Sequence, residues 1–281
     1  MEILDSKTDI GRIRDKNEDA VLSIKHPKNK NIKLLIVADG MGGKEKGEVA
    51  SNYVTMYLHK WFISKDLKIL NDNNKVINLL NKYIKTLNTN LIKKYGQDKL
   101  GTTLTLALVN RTNTIIFNVG DSRCYIYKEK KLIQVTEDDS DVWMYHKYGG
   151  VKKDYLRFFS NNNVITACIG ICNELCKIST TIIDNDYDMI FLLTDGVTDI
   201  ITDTKIKTLI RKTPRENLLS SIINEAVNVD QNLKVPLSLK RKFTANYIVP
   251  FKGRDNASGV IYIKWCKTKC KLTKIYIFLF L

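Results

Sequence analysis

The chain has 281 residues, 44% of them hydrophobic, which is enough to bury a sizeable core in one large domain or two small ones. Its formal net charge of +15 at pH 7 would suit nucleic acid, an anionic surface or an acidic substrate as a partner. The positive charge is scattered, and no helix-turn-helix pattern, zinc-finger spacing or aromatic RNA-binding motif accompanies it. Nucleic acid is therefore not expected as a partner.

The six cysteines have neither the spacing of a zinc site nor that of a disulfide framework, which favours reduced thiols and a cytoplasmic location. A cysteine phosphatase needs an arginine six residues after its cysteine, and none of the six has one, so that class of enzyme is excluded. The polar first residues predict no signal peptide, and no apolar stretch reaches the roughly 20 residues of a membrane span.

Hydrophobic periodicity predicts a core rich in strands, together with four amphipathic helices. The first half contains a buried strand at 32–38, helices at 48–63 and 74–95, and strands at 103–109, 114–119, 124–127 and 131–135. The second half contains strands at 178–183 and 189–194 and helices at 203–211 and 214–229. Because no repeat or linker interrupts this order, we expect one domain over 1–265 and a short basic and apolar tail at 266–281.

Two segments lack a clear periodicity. Residues 140–163 combine aromatic and basic side chains with a glycine pair and end in three asparagines, which predicts a mobile surface segment. Residues 229–253 contain two prolines and weak periodicity, which predicts a loop.

Carboxylates recur at the ends of the predicted buried strands. Asp39 follows the run KLLIVA, Asp195 follows MIFLLT, Asp121 follows TIIFNV and one glycine, and Asp255 shortly precedes VIYI. Buried carboxylates at close range repel one another unless a cation neutralises them. An all-oxygen ligand set suits Mg²⁺ or Mn²⁺. The alternative is that each aspartate only starts a turn, which explains one occurrence more easily than four.

Six short motifs occur in a fixed order. They are Gly11-x-x-Arg14-x-x-Asn17-Glu18-Asp19, Ala38-Asp39-Gly40-Met41-Gly42-Gly43 with Gly47-Glu48-Val49-Ala50-Ser51, Gly101-Thr102-Thr103, Val119-Gly120-Asp121-Ser122-Arg123, Thr194-Asp195-Gly196 with Thr198-Asp199, and Gly253-Arg254-Asp255-Asn256. Each is weak by itself, but the ordered set resembles the metal-dependent protein phosphatases of the 2C type in their bacterial form. The resemblance covers roughly residues 5–264. It implies an α+β fold in which a central antiparallel β-sandwich is flanked by helices on both faces, in α-β-β-α layers.

The resemblance also implies a role for each matched residue. Metal ligands would be Glu18, Asp39, Gly40, Asp121, Asp195 and Asp255. Within this set, Asp39 would bridge two ions with help from the Gly40 carbonyl, Asp195 and Asp255 would hold the first ion, and Glu18 the second. Asp121 with Asp195 would form a weaker third site. Asp19 would orient a metal-activated water, and Arg14 would bind the substrate phosphate through its planar, two-pronged guanidinium.

The implied reaction is hydrolysis of phosphoserine and phosphothreonine in proteins by a water activated between two Mn²⁺ or Mg²⁺ ions, with a third ion in addition. We expect a monomer whose partners are phosphorylated proteins, the products of a serine/threonine kinase. Met41 stands where some relatives have the histidine assigned as general acid, so the proton donor to the leaving group is left unassigned; a metal-bound water is the candidate.

Each residue also has a structural alternative. Arg14 could be a surface salt-bridge partner, Glu18 and Asp19 the start of a turn, and Asp255 part of a plain turn. Asp121 could pair with Arg123 to close a hairpin. Asp199 and the segment Gly101-Thr102-Thr103 are interpreted as structural.

Two other functions remain open from the sequence. One is a catalytically weak module of the same fold that binds phosphoproteins, although the intact carboxylate set argues against it. The other is a basic nucleic-acid-binding protein, which a salt-dependent gel shift would reveal.

Overall fold

The structure is a computed structural model that describes residues 2–42, 47–173, 177–228, 232–243, 251–252 and 255–264. One sheet contains β1 (Ile3–Asp9), β7 (Arg123–Lys128), β8 (Lys131–Gln134), β10 (Met189–Leu193) and β13 (Ala257–Ile263). The other contains β2 (Asp19–His26), β3 (Asn29–Met41), β4 (Gly101–Thr102), β5 (Leu104–Val109), β6 (Asn113–Val119) and β9 (Ser179–Asp184).

Both sheets are antiparallel throughout. The first has the strand order β1-β13-β10-β7-β8, and the second has the order β2-β3-β5-β6-β9, with β4 paired to the end of β3. A separate two-stranded pair joins β11 (Asn232–Leu233) to β12 (Phe251–Lys252).

The helices lie on the outer faces of the two sheets or connect their strands. They are α1 (Gly47–Ser64), α2 (Leu67–Leu70), α3 (Asn73–Tyr95), α4 (Trp143–Lys147), α5 (Asp195–Thr198), α6 (Asp203–Lys212), α7 (Leu218–Asn228) and α8 (Leu237–Lys240). Two 3₁₀ turns cover Lys153–Phe158 and Arg215–Asn217. None of the helices in this described part combines the length and the apolar character that a membrane crossing requires.

Three apolar layers hold the elements together. Alternate residues of β3 point in opposite directions, so that Leu35 and Val37 pack against the other sheet while Leu34 and Ile36 pack against α1 and α3. A third layer lies between the first sheet and the α6–α7 pair, around Phe191. Because both faces of β3 are covered, its middle at 34–38 is an unbroken apolar run. The predicted α-β-β-α layers are confirmed.

The four predicted helices and seven predicted strands all occur, with ends that shift by one to a few residues. The fourth helix is shortened, because residues 215–217 form a 3₁₀ turn before α7 begins at Leu218. The strands β1 and β2 were not predicted. β1 reads ILDSKTD and lies at a sheet edge, where its polar side chains leave little hydrophobic signal.

The prediction of a surface segment at 140–163 is wrong. Trp143, Leu156, Phe158 and Phe159 are buried in a small apolar cluster that also includes Leu239 of α8. The predicted loop at 229–253 contains α8 and the β11–β12 pair among its described residues. The predicted tail at 266–281 lies outside the described residues.

Glu2 should contribute measurably to stability. The Lys33 side chain, 3% exposed, places Nζ 2.9 Å from Glu2 Oε1. Burial by itself would raise the pKa of Glu2, but hydrogen bonds from Lys33, Tyr262 and Lys25 lower it from 4.5 to about 2. Glu2→Gln leaves a buried ammonium without its counter-charge and should lower the free energy of unfolding by about 1–2 kcal/mol, a figure reduced for solvent screening.

Urea unfolding measures this effect. The control is Asp186→Asn, which removes an exposed partner of Lys128 and should leave stability nearly unchanged, because solvent screens the pair. Because the folded-state pKa of Glu2 is lowered, the wild-type advantage should be complete above pH 4.5 and shrink as the pH falls toward 2. Equal stability of the two variants at pH 7 would contradict the assignment.

Candidate metal centre

The antiparallel arrangement brings the predicted ligands to one end of the sandwich. Asp19 and Asp39 are direct partners in the ladder between β2 and β3. Asp195 follows β10 as the first residue of α5, and Asp255 shortly precedes β13, the neighbour of β10. A cavity of about 220 Å³ opens here, and its lining consists of Arg14, Glu18, Asp39, Gly40, Met41, Gly42, Thr103, Asp121, Asn163, Ile165, Asp195 and Asp255.

The carboxyl groups are crowded enough to change one another's protonation. Burial, followed by the charges of Asp19, Asp195 and Asp255, raises the pKa of Asp39 well above 3.8. Burial and the charge of Asp255 raise the pKa of Asp195 to about 7. The pKa values of Asp39 and Asp195 depend on each other, because the two carboxyl groups lie close together in the buried site. The site therefore has an excess of negative charge that a cation would relieve.

Two buried oxygen atoms mark where such a cation or its water would fit. Asp19 Oδ1 and Asp195 Oδ1 have no hydrogen-bond partner among the described residues, although buried polar atoms normally have one. Among the described residues, we find no ready-made metal site, defined as three or more aspartate, glutamate, histidine or cysteine side chains placed to hold one ion. The fit to Mg²⁺ or Mn²⁺ thus rests on the all-oxygen donor set and on the two unpartnered oxygens.

Glu18 is held from several sides. Its main-chain oxygen accepts hydrogen bonds from Gly40 N at 3.1 Å and from the Ser51 hydroxyl at 2.6 Å. Its carboxylate accepts from Gly47 N, at the start of α1. Position 40 must be glycine, because a Cβ there would lie 2.2 Å from the Gly47 carbonyl oxygen. The close crossing of β3 and α1 thereby places Glu18 beside Asp39.

Asn256 organises the site, although the sequence analysis treated it as part of a motif and gave it no role. Its side-chain amide donates to the carbonyl oxygens of Ile10 at 2.9 Å and Lys16 at 3.0 Å. Its side-chain oxygen accepts from Glu18 N at 2.8 Å. One side chain thus ties the segment that carries Arg14 and Glu18 to the residue that follows Asp255. The only sequence signal for this role is its place beside Asp255.

Arg14 lies at the cavity mouth with its side chain 44% exposed. Its guanidinium donates to Asp255 Oδ2 at 2.9 Å and lies 3.8 Å from Glu18 Oε2. The residue predicted to bind phosphate is therefore in contact with two predicted metal ligands.

Asp121 is buried and lines the cavity together with Asp195. Burial and then the charge of Asp195 raise the pKa of Asp121 well above 3.8. Arg123 pairs instead with Asp138 at 2.7 Å, so the alternative of an Asp121–Arg123 hairpin pair is wrong. Asp199 is not among the residues that line this cavity, and its Oδ2 accepts a hydrogen bond from the Asn162 amide at 3.5 Å.

Residues 140–163 reach the site at their end, because Asn163 and then Ile165 line the cavity. Met41 also lines it, but a thioether has no proton to donate. Gly43, Lys44 and Arg254, which neighbour the predicted ligands in sequence, lie outside the described residues.

A family model described as Protein phosphatase 2C matches residues 13–233. The chain belongs to this family. It is 30% identical over 197 residues to the serine/threonine phosphatase stp of Listeria welshimeri, an alignment that covers 68% of this chain and 76% of that protein. It is 28% identical over 195 residues to the protein phosphatase PhpP of Streptococcus pneumoniae, covering 68% and 77%.

Solved structures agree with this assignment. Serine/threonine phosphatase Stp1 from Staphylococcus aureus is 29% identical and has a TM-score of 0.77, with 94% of this chain and 96% of that chain covered. The family resemblance inferred from the six ordered motifs is therefore confirmed. The roles of the individual site residues stay predictions.

Stability should depend on pH in a way that reports the crowded carboxylates. Because the pKa of Asp195 is raised from 3.8 to about 7, the folded protein keeps a proton that the unfolded chain has already lost. The contribution of Asp195 to stability is therefore complete below pH 3.8 and is lost as the pH rises toward 7. With divalent cations chelated by EDTA, the free energy of unfolding should fall by roughly 3 kcal/mol between pH 4 and pH 7.

Urea unfolding over this pH range tests the expectation. Asp195→Asn has no titrating proton and should flatten the fall, whereas the exposed Asp186→Asn should leave it intact. If the free energy of unfolding falls equally with pH in Asp195→Asn and in the wild type, the pKa of Asp195 is not raised in the folded protein.

Asn256→Ala should damage both stability and metal binding. It removes three hydrogen bonds and leaves two carbonyl oxygens and one N–H without their partner, so we expect a loss of about 2–3 kcal/mol. Mn²⁺ affinity should weaken as well, because the Glu18 segment loses its tie to Asp255. Asn228→Ala, which removes an exposed acceptor for Arg12, is the matched control. Calorimetric Mn²⁺ titration and urea unfolding measure the two effects, and an unchanged Mn²⁺ affinity would limit Asn256 to a structural role.

Proposed function

We propose that this member of the protein phosphatase 2C family hydrolyses phosphoserine and phosphothreonine in proteins with the help of two divalent cations, Mn²⁺ or Mg²⁺, and a weaker third. The observation that carries the proposal is the convergence of Asp39, Asp195 and Asp255 with Glu18 in one cavity that an arginine borders. Family membership and the serine/threonine phosphatases among its relatives support the substrate class.

Each residue of the chain would have a distinct task. Asp39 lies centrally and would bridge the two ions with the Gly40 carbonyl, while Asp195 and Asp255 would hold the first ion and Glu18 the second. Asp121, beside Asp195, would complete the third site. When bound, the cations would supply positive charge to the phosphate oxygens and lower the pKa of a water molecule.

The remaining steps involve the protein directly. Asp19 Oδ1, which is buried and unpartnered among the described residues, would accept a hydrogen bond from the attacking water and fix its direction. Arg14 would bind the phosphate through two parallel N–H groups. Met41 has no proton to give to the leaving alcohol. Another group must therefore supply that proton.

The end of the 140–163 segment supplies the cavity wall that a protein substrate would meet. Asn163 offers an amide and Ile165 an apolar surface beside the metal ligands. A location in the cytoplasm, a monomeric state and a serine/threonine kinase that supplies the substrates stay predictions.

The test is release of inorganic phosphate from a phosphothreonine peptide. Turnover should require added Mn²⁺ or Mg²⁺ and stop with EDTA. Asp39→Asn should reduce kcat by about 100-fold or more, because it removes charge from the centre of the ligand set. Asp186→Asn, the same chemical change on the exposed surface, should leave turnover unchanged.

Two results would contradict the proposal. Full activity after exhaustive chelation would remove the metals from the reaction. Tight binding of the phosphopeptide without turnover, in the presence of Mn²⁺, would favour the alternative of a phosphoprotein-binding regulatory module.

A further inference from the structure

Arg14 makes contacts that a simple phosphate clamp would not need. Its guanidinium donates to Asp255 Oδ2 at 2.9 Å and lies 3.8 Å from Glu18 Oε2. The other oxygen of Asp255, Oδ1, already accepts from Asn256 N at 2.9 Å. Each oxygen of Asp255 therefore already has a donor, and the guanidinium is the donor to Oδ2.

A guanidinium and a divalent cation would bind the same groups at this position. Both are cations that bind carboxylate oxygens, and the carboxylates within reach of both are those of Asp255 and Glu18. Their mutual repulsion at a separation of a few ångströms is only partly screened, because the Arg14 side chain is 44% exposed while Glu18 is 16% exposed. A dianion placed between them would bind both cations at once and relieve their repulsion.

We propose that Arg14 competes with a divalent cation for Asp255 and Glu18, and that the substrate phosphate removes this competition by taking over the guanidinium. The proposal rests on the proposed function, since it concerns the same metal centre. Arg14 then has two positions, one on the carboxylates and one on the phosphate. Phosphate binding strengthens cation binding, and by linkage cation binding strengthens phosphate binding by the same factor.

Because of this competition, the site binds its cations more tightly when a substrate phosphate is present. While Arg14 lies on Asp255, cation affinity is reduced. When the phosphate arrives, the guanidinium exchanges two carboxylate partners for the phosphate oxygens. After phosphate has left, Arg14 returns to Asp255 and the affinity for the cation falls again.

The first experiment measures the affinity for Mn²⁺ alone by isothermal titration calorimetry in the wild type, Arg14→Gln and Arg14→Lys. Arg14→Gln removes the competing charge and should tighten Mn²⁺ binding about tenfold, the scale of one partly screened charge at this distance. Arg14→Lys keeps a charge but loses the planar fork, and should tighten binding by less.

Arg12→Gln is the matched control. Arg12 lies two residues from Arg14 and loses the same charge, but its guanidinium donates to Asn228 Oδ1 at 2.7 Å, outside the cavity. It should change Mn²⁺ affinity by less than about twofold, because exposed charges at longer range are screened.

The second experiment repeats the Mn²⁺ titrations with saturating inorganic phosphate. Phosphate should tighten Mn²⁺ binding in both proteins, since the anion lies beside the cation, but the factor should be several-fold larger in the wild type than in Arg14→Gln. The difference between the two factors measures the coupling that passes through Arg14.

The outcomes separate the inference from the function it rests on. Equal Mn²⁺ affinity in the wild type and Arg14→Gln overturns the competition and leaves the metal centre intact. Weaker Mn²⁺ binding in Arg14→Gln also overturns it and makes Arg14 a residue that positions Asp255 as a ligand. Failure of the wild type to bind Mn²⁺ at all contradicts the proposed metal centre itself.

Discussion

Mutual repulsion among aspartates at one end of the sandwich is the constraint on which the rest of the site depends. Burial and the charges of Asp195 and Asp255 raise the pKa of Asp19 well above its ordinary value, and burial together with neighbouring carboxylates also raises the pKa values of Asp39 and Asp195. A site built this way is unstable by itself and gains stability from any cation that enters it. The fold must therefore hold these side chains together against a force that would separate them.

The holding groups are mainly backbone and amide groups. Asp39, Asp195 and Asp255 stand next to the ends of strands that are paired on both sides, so β3 and β10 cannot shift without breaking ladders on two neighbours. Asn256 fixes the Arg14–Glu18 segment through three hydrogen bonds to main-chain atoms. Thr103 supports Asp39 by accepting a hydrogen bond from its N–H at 2.9 Å, in agreement with the structural role expected for that motif.

The segment at 140–163 is joined to the same framework by two cations. Lys153 donates to Gln134 of β8 and to Asp203 of α6, and burial lowers its pKa. Arg157 donates to the carbonyl oxygen of Ile200 at 2.9 Å, just beyond the helix that begins with Asp195. Asn163 lies at the cavity, so this part of the cavity wall is attached to the element that carries a predicted metal ligand.

The sequence by itself determined the layers of the fold, because an apolar run of strand length such as 32–38 and a 3.6-residue stripe such as 74–95 each have one stable way of being buried. It also determined the family and the predicted ligands, because glycines and carboxylates at fixed spacings are local features. Only the tertiary structure decided that Arg123 pairs with Asp138, that Arg14 lies on Asp255, and that residues 140–163 bury their aromatic side chains. Those contacts join residues that lie on different elements or up to 241 positions apart in the sequence. The packing of the two sheets decides which of these side chains meet, and no local sequence pattern contains that information.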